Sequence, residues 1–422
     1  MTDDHSTQLR PWSALRFRDY RFLWFSSIAW MLTQQLRLLV TAVWLFEATG
    51  SAAQLGLIGA IQLVVQIPAL LYGGALADRT DRKRLMAGTQ AITFLVIGAM
   101  ALAASAGSLE PWHVYLATAA TSVTTVLGQP ARSALTAAVV PRNHLMHAVT
   151  TNNVTIQIGS VAAPLIFAGV AESAGLTAVF FVTAGTALAS VGLPLLIAVD
   201  GRPARRDQPK NLLRETWEGA RYVAHHPILP GLYALDFAIT VVSFYRQIMP
   251  VIARQLYMGG AGAVGLLTAT NSLGAIVGAF SVLFLAGYRA KGMLVLYATI
   301  AYALLLFPFG LVENLWVGVF LIAGLGAADA VGMTTRQATV QLTTPDEMRG
   351  RALSLQTLAA QSANNIGTVE VGLMSSWIGS GSTMVVGGVI SLGATLLIWR
   401  LMRGISSYRY PPDPERGQTL PP

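Results

Sequence analysis

From Tyr20 to Met402 the chain is a succession of apolar runs separated by short stretches that hold nearly all of its charge. Each run is about the 20 residues that a helix needs to cross a bilayer. Read against the charge breaks, the runs span 20–47, 53–76, 85–106, 113–136, 147–171, 175–199, 228–256, 263–286, 293–311, 314–335, 352–378 and 381–402. Hydrocarbon offers the backbone no water to bond, so runs of this kind fold as helices. Composition agrees: 11% of the residues are charged and 54% hydrophobic, whereas a soluble domain carries about 25% charge. The prediction is an all-α membrane protein with twelve transmembrane helices. The absence of Cys removes disulfide and thiolate chemistry. The polar stretch Met1–Arg18 lacks the apolar core and cleavage site of a signal peptide.

Lys and Arg sort by loop. One set of connections takes Arg10, Arg16, Arg18, Arg21, Arg79, Arg82, Lys83, Arg84, Arg132 and Arg142, then Arg202 to Arg221, Arg289, Lys291, Arg336, Arg349, Arg351 and the basic tail. The opposite set takes none but Arg254. The positive-inside rule then places both termini in the cytoplasm, with an even number of crossings in an inner membrane. The formal charge of +8 is thereby a topology signal, with contact to anionic lipid as a secondary effect. No basic stripe lies on a soluble domain, which argues against nucleic acid as a partner.

The chain divides in two. The longest polar connection, 200–227, contains the pattern Leu213, Trp217, Ala220 and Tyr222 of an amphipathic helix at the interface. It separates a six-helix bundle at 1–199 from a second at 228–403, followed by a tail at 404–422. The bundles echo one another. An offset of 204 carries Arg132 onto Arg336, Ala148 onto Ala352, Asn152 onto Gln356 and Gln157 onto Gln361. An offset of 209 carries Gly56-Leu57 onto Gly265-Leu266 and Arg37 onto Arg246. Parallel repeats of this size mark two-bundle transporters.

Between the second and third runs stands Gly73-Gly74-Ala75-Leu76-Ala77-Asp78-Arg79-Thr80-Asp81-Arg82-Lys83-Arg84. Gly74 permits close helix approach, Asp78 is placed to accept from a helix N-terminus, and the cations hold the turn at an anionic surface. This segment resembles the signature loop of the major facilitator superfamily. Within it, Leu15 to Arg21, Thr49-Gly50-Ser51, Gln129 to Ala134 and Pro345 to Arg351 resemble the bacterial enterobactin and macrolide exporters. The resemblance implies that Gly74, Asp78, Arg79, Arg82 and Lys83 form a gating loop that locks and unlocks two pseudo-symmetric halves. The second-half copy, Gly287 to Gly292, lacks the acid. Gln34 stands where members of that subgroup often carry an acid or Asn, and the fourth span lacks the mid-membrane Arg of many proton antiporters.

Ionisable residues inside a bilayer are costly and functional by default. Arg37, Arg246 and Glu370 each lie about 17–19 residues into their runs, at similar depth in the outer half. They are expected to form an outer-gate charge cluster; a static pair, or snorkelling to the surface, is the plainer alternative. Asp236 and Asp329 lie in the inner halves of spans that border the central cavity in the resembling family. Carboxylates shielded from water can exchange a proton near neutral pH, so either is a candidate to carry a coupling proton or meet a cationic substrate. Gln34, Gln35, Gln62, Gln157, Gln247, Gln361 and Asn365 are expected collectively to line a weakly polar cavity, though any one of them is better explained by an interhelical hydrogen bond.

No metal-ligand cluster, phosphate-binding loop or catalytic triad spacing is present, so neither an enzyme nor a cofactor is expected. The expectation is a monomeric secondary active transporter. It would export small amphipathic molecules such as drugs, antibiotics or siderophores by alternating access, with protons as the counter-substrate. Small-solute uptake by symport, or a transport-inactive sensor, are the alternatives.

Overall fold

The computed structural model describes residues 13–77, 80–199, 201, 212–285 and 287–409, and among these it is helices and connecting turns without a strand. The main helices are α1 (Arg18–Thr49), α2 (Ala52–Ala77), α3 (Arg82–Ser105), α4 (Pro111–Ala138), α5 (Leu145–Gly192), α6 (Leu212–His225), α7 (Leu229–Ser243), α8 (Met249–Gln255), α9 (Ala261–Phe284), α10 (Lys291–Leu311), α11 (Leu315–Thr343), α12 (Asp346–Ile378) and α13 (Ser380–Leu401). Nine stretches among the described residues are long and apolar enough to cross a membrane. The stretch containing α5 counts as two crossings, because Gly175 breaks it with φ 79° and ψ 173°, a conformation that side-chain-bearing residues avoid. The more polar α4 and α12, 28 and 33 residues long, complete the twelve.

Two departures from the sequence expectation matter for function. First, α4, α11 and α12 run past the apolar segments that mark them. Between α11 and α12 only Thr344 and Pro345 remain. Proline forces the residue before it into extended backbone, and Thr344 has φ −106° and ψ 127°. Arg132 and Arg336, expected in loops, are therefore helical and buried, at 6% and 7% exposure. Second, the seventh crossing is not continuous. It breaks after α7 at Phe244, passes through a 3₁₀ turn at Tyr245–Ile248 and resumes as α8. Pro250 accounts for the break, since a proline ring clashes with the carbonyl four residues earlier, here that of Arg246.

Packing gathers the chain into two units. The first holds 1–41, 64–163 and 170–206, the second 42–63, 164–169 and 207–422. The core of the first is Tyr20, Leu23, Met86, Ala131, Leu135, Ala148 and Ile197, and the Tyr20 hydroxyl donates to the Ala148 carbonyl at 2.8 Å. In the second the Tyr233 hydroxyl donates to the Ala352 carbonyl at 2.9 Å. Ala148 and Ala352 are partners under the 204-residue offset, so each unit ties its first crossing to the same carbonyl of its repeat. In lipid, close helix contact depends on small residues. A side chain at Gly274 or Gly278 would collide with the backbone of Ala323 or Ala327, and this fixes α9 tightly on α11. The amphipathic helix α6 is held to α12 by Glu218 and Arg351 at 2.8 Å; Trp217 on it is 73% exposed.

Candidate functional site

The second unit encloses a cavity of about 410 Å³ bordered by α7 and its broken continuation, α10, α11 and α12. Two ion pairs stand on its wall. Asp236 of α7 binds Arg336 of α11, at 17% and 9% side-chain exposure. Arg246, presented by the 3₁₀ break, donates to Asp329 of α11 at 3.0 Å, with 51% and 43% exposure. Behind Arg246, Tyr245 and Tyr302 stack with centroids 6.4 Å apart, and Asn271 of α9 donates to the Tyr245 hydroxyl at 2.7 Å. The remaining polar lining includes Thr240, Gln337, Gln356, Gln361 and Asn364. The cavity is therefore amide- and hydroxyl-lined, and its two acids each face an arginine.

The first unit presents a different answer to the same problem. Arg132 of α4 lies over the Trp30 ring, 4.4 Å from its centroid, and donates to the Ser27 hydroxyl at 2.7 Å. With the Gln90 amide turned so that both its ends are satisfied, its oxygen accepts from Arg132 at 3.1 Å and from the Trp30 indole at 3.2 Å, and its nitrogen donates to Ser190 at 3.1 Å. One turn beyond Trp30 on α1, Gln34 donates to Thr125 at 2.6 Å. One further turn along, Arg37 is 5% exposed, and its Nε has no hydrogen-bond partner.

The residues singled out from the sequence fall as follows. Gly74 lies in the last turn of α2, while Asp78 and Arg79 lie outside the described residues. The rest of that loop is fastened to the end of the sixth crossing. The Arg82 amide donates to the Gly201 carbonyl at 3.0 Å, Lys83 Nζ donates to the Ile197 carbonyl at 3.0 Å, and Asp81 caps α3 by accepting from the Lys83 amide at 2.9 Å. Asp19 at the start of α1 accepts from the amides of Ala198 and Val199 at 3.0 and 2.9 Å.

Arg246 is paired with Asp329, and among the described residues no ion pair joins it to Glu370. Glu370 has a buried Oε2 with no hydrogen-bond partner. Of the amides, Gln361 lines the second unit's cavity and Gln34 bonds within the first unit. Asn365 is buried, Gln35, Gln62 and Gln247 are half-buried, and Gln157 is exposed. Sequence reasoning passed over Arg132 and Arg336 as site residues because they lie at the polar ends of their runs. Their recurrence nine residues before Pro141 and Pro345 is the signal that marks them as one repeated position.

A helical membrane fold with paired charges on the wall of a cavity is the architecture of a membrane transporter of the major facilitator type. The chain belongs to the transmembrane secretion effector family, whose sequence pattern matches residues 9–408. It is similar to the enterobactin exporter EntS of Citrobacter koseri, 30% identical over 381 residues that cover 88% of this chain and 89% of that protein. The enterobactin exporter EntS of Escherichia coli O81 is 31% identical over 362 residues, 83% of this chain and 84% of that protein. Among solved structures, a bacterial homologue of the human lysosomal transporter Spinster superposes with a TM-score of 0.70 at 16% identity, covering 94% of this chain and 99% of that one. The nucleoside transporter NupG gives 0.72 at 13% identity, covering 92% and 100%. These two likenesses concern the fold alone.

Proposed function

We propose that this protein is an inner-membrane exporter of small amphipathic molecules of the siderophore class. It works by alternating access, with both termini in the cytoplasm and inward proton flow as the driving force. Similarity to enterobactin exporters over more than four-fifths of the chain supports export and the cargo class. The basic loops support the orientation, and the exposed Trp217 of α6 suits contact with interfacial lipid. The chain acts as a monomer in this reading.

The observation that carries proton coupling is Glu370. Asp236 and Asp329 each already have an arginine, whereas Glu370 has a buried carboxylate oxygen with no partner. A buried charge without a partner costs several kcal/mol, and protonation removes that cost. Glu370 would thus cycle between a protonated form inside the bundle and an ionised form open to water. In this scheme the Arg246–Asp329 pair opens and closes with the cavity, Asp236–Arg336 holds α7 to α11, and the Gly74–Lys83 loop gates the transition.

The test is flux in proteoliposomes with an imposed pH gradient and a catecholate siderophore as cargo. Wild-type protein should move the siderophore against inward protons, and Glu370→Gln should abolish the gradient dependence while keeping normal folding. Siderophore movement in the same direction as protons would favour uptake. No flux at all from folded protein would favour a sensor. Gradient-driven flux unchanged in Glu370→Gln would remove Glu370 from the mechanism.

A further inference from the structure

The two units carry the same two arginines and different counter-charges. The 209-residue offset that carries Arg37 onto Arg246 also carries Ser27 onto Asp236, and the 204-residue offset that carries Arg132 onto Arg336 also carries Thr125 onto Asp329. The contacts follow the same correspondence: Arg336 binds Asp236, and Arg132 binds Ser27 at 2.7 Å. Both carboxylates of the second unit are hydroxyls in the first.

Within the first unit, no ion pair reaches Arg37 or Arg132 among the described residues. Asp19 and Asp81 are engaged by backbone amides. Arg132, 6% exposed, is held by an indole face, a hydroxyl and an amide, all neutral. Arg37, 5% exposed, keeps an unpartnered Nε. Ser27, Trp30, Gln34 and Arg37 recur at three- and four-residue spacing, so they form one stripe along α1. Two guanidinium groups on or beside that stripe lack an anion in a medium where an unpaired charge is expensive. Ser27 and Gln90 occupy two of the Arg132 nitrogens and the Trp30 ring lies against its face, which lowers that cost, but none of the three supplies the negative charge of an oxyanion.

We propose that this stripe and Arg132 form the binding site for an anionic group of the transported molecule, a carboxylate or ionised aryl oxygen, with Arg132 as its main contact and Arg37 as a second. The inference rests on the reading that the protein carries a small molecule, and it adds the charge of that molecule and the unit that recognises it.

The experiment is thermal unfolding of the purified full chain in zwitterionic phosphatidylcholine nanodiscs, with benzoate, benzamide or benzamidine added. These share one ring and are negative, neutral and positive. Benzoate alone should raise the melting temperature, by about 2 °C or more near saturation. Arg132→Gln should abolish that rise, and its unliganded melting transition should stay cooperative, which shows that the variant folds. Ser27→Asp copies the second unit; it should raise the unliganded melting temperature and abolish the benzoate effect. It carries the test alone should Arg132→Gln fail to fold, since the arginine stays in place.

Equal shifts from all three probes, or a benzoate shift that persists in both variants, would overturn the proposal. A shift produced by phosphatidylglycerol in place of benzoate, and lost with Arg132, would assign the site to a lipid headgroup and overturn its assignment to cargo. No flux enters this measurement. Benzoate binding without siderophore export would sink the export reading and leave the anion site standing; siderophore export without an Arg132-dependent shift would do the reverse.

Discussion

Arg132 and Arg336 occupy one repeated position in two six-helix bundles, and the bundles neutralise them by unlike means. Arg336 has Asp236 as a counter-ion. Arg132 has the face of Trp30, the Ser27 hydroxyl and the Gln90 amide. The exchange is local and complete, because the offset that turns Ser27 into Asp236 also turns Trp30 into Ile239. Where the acid is present the aromatic platform is absent, and the reverse. The ion pair with Asp236 neutralises Arg336, so that cation has little left to offer a ligand. A cation on a π face is still a cation, and its remaining field is available to whatever anion approaches. The repeat thus supplies one scaffold with two settings, and the setting is read from the residue one helical face away.

The largest expected effect comes from breaking the setting of the second unit. Asp236→Asn leaves Arg336 buried without an anion, and Arg336 Nε already lacks a hydrogen-bond partner. Removing one member of a buried pair costs about 3–5 kcal/mol, so thermal unfolding in nanodiscs should show a clear loss. Asp236→Ser imitates the first unit only in part and should be nearly as harmful. Adding Ile239→Trp to Asp236→Ser should restore about 1–2 kcal/mol, the worth of a desolvated cation–π contact. No recovery in the double variant would show that the two settings are not interchangeable.

The exposed pair sharpens the contrast. Arg246 and Asp329 are about half open to the cavity, and pairs of that exposure are worth about 0–1 kcal/mol. Asp329→Asn should accordingly cost under about 1 kcal/mol in the same unfolding assay. Its effect should fall on flux, because the freed Arg246 then presents an unneutralised cation to the cavity. A loss as large as that of Asp236→Asn would mean the pair is structural.

Much of this was legible in the sequence. Twelve runs, a linker and a repeat offset are properties of apolar length and of residue spacing, and those survive without tertiary information. The 209-residue offset placed Arg37 and Arg246 in correspondence before any contact was known. The partners of the intramembrane charges were harder to read. Arg132 and Arg336 sit where apolar runs end, and hydropathy assigns such residues to loops. Burial reverses that assignment only when a neighbouring helix offers Asp236 or Trp30. The break that turns Arg246 into the cavity was announced by Pro250, but a proline near the end of a crossing is equally compatible with an unbroken helix.

The smallest effect compares two histidines at helix starts. His144, ahead of α5, meets Ser13 through Nδ1 at 3.0 Å, and a hydroxyl can donate or accept by turning. His226, ahead of α7, uses Nδ1 to accept from the backbone amides of Ile228 and Leu229, both at 3.3 Å, and that role requires an unprotonated nitrogen. Burial, partly offset by the backbone of Thr343, pushes the His226 imidazole below its ordinary value. The folded value lies below the unfolded one, so the unfolded chain takes up the proton first as pH falls. The stability this histidine permits is therefore complete above about pH 6.5 and declines below it toward the lower folded value. Unfolding measured from pH 7.5 to 5.5 should show that decline. His226→Asn keeps an acceptor for the two amides without a titrating ring, so it should flatten the slope while leaving the stability at pH 7.5 close to that of the wild type. A slope unchanged in this variant would move the pH response elsewhere in the chain.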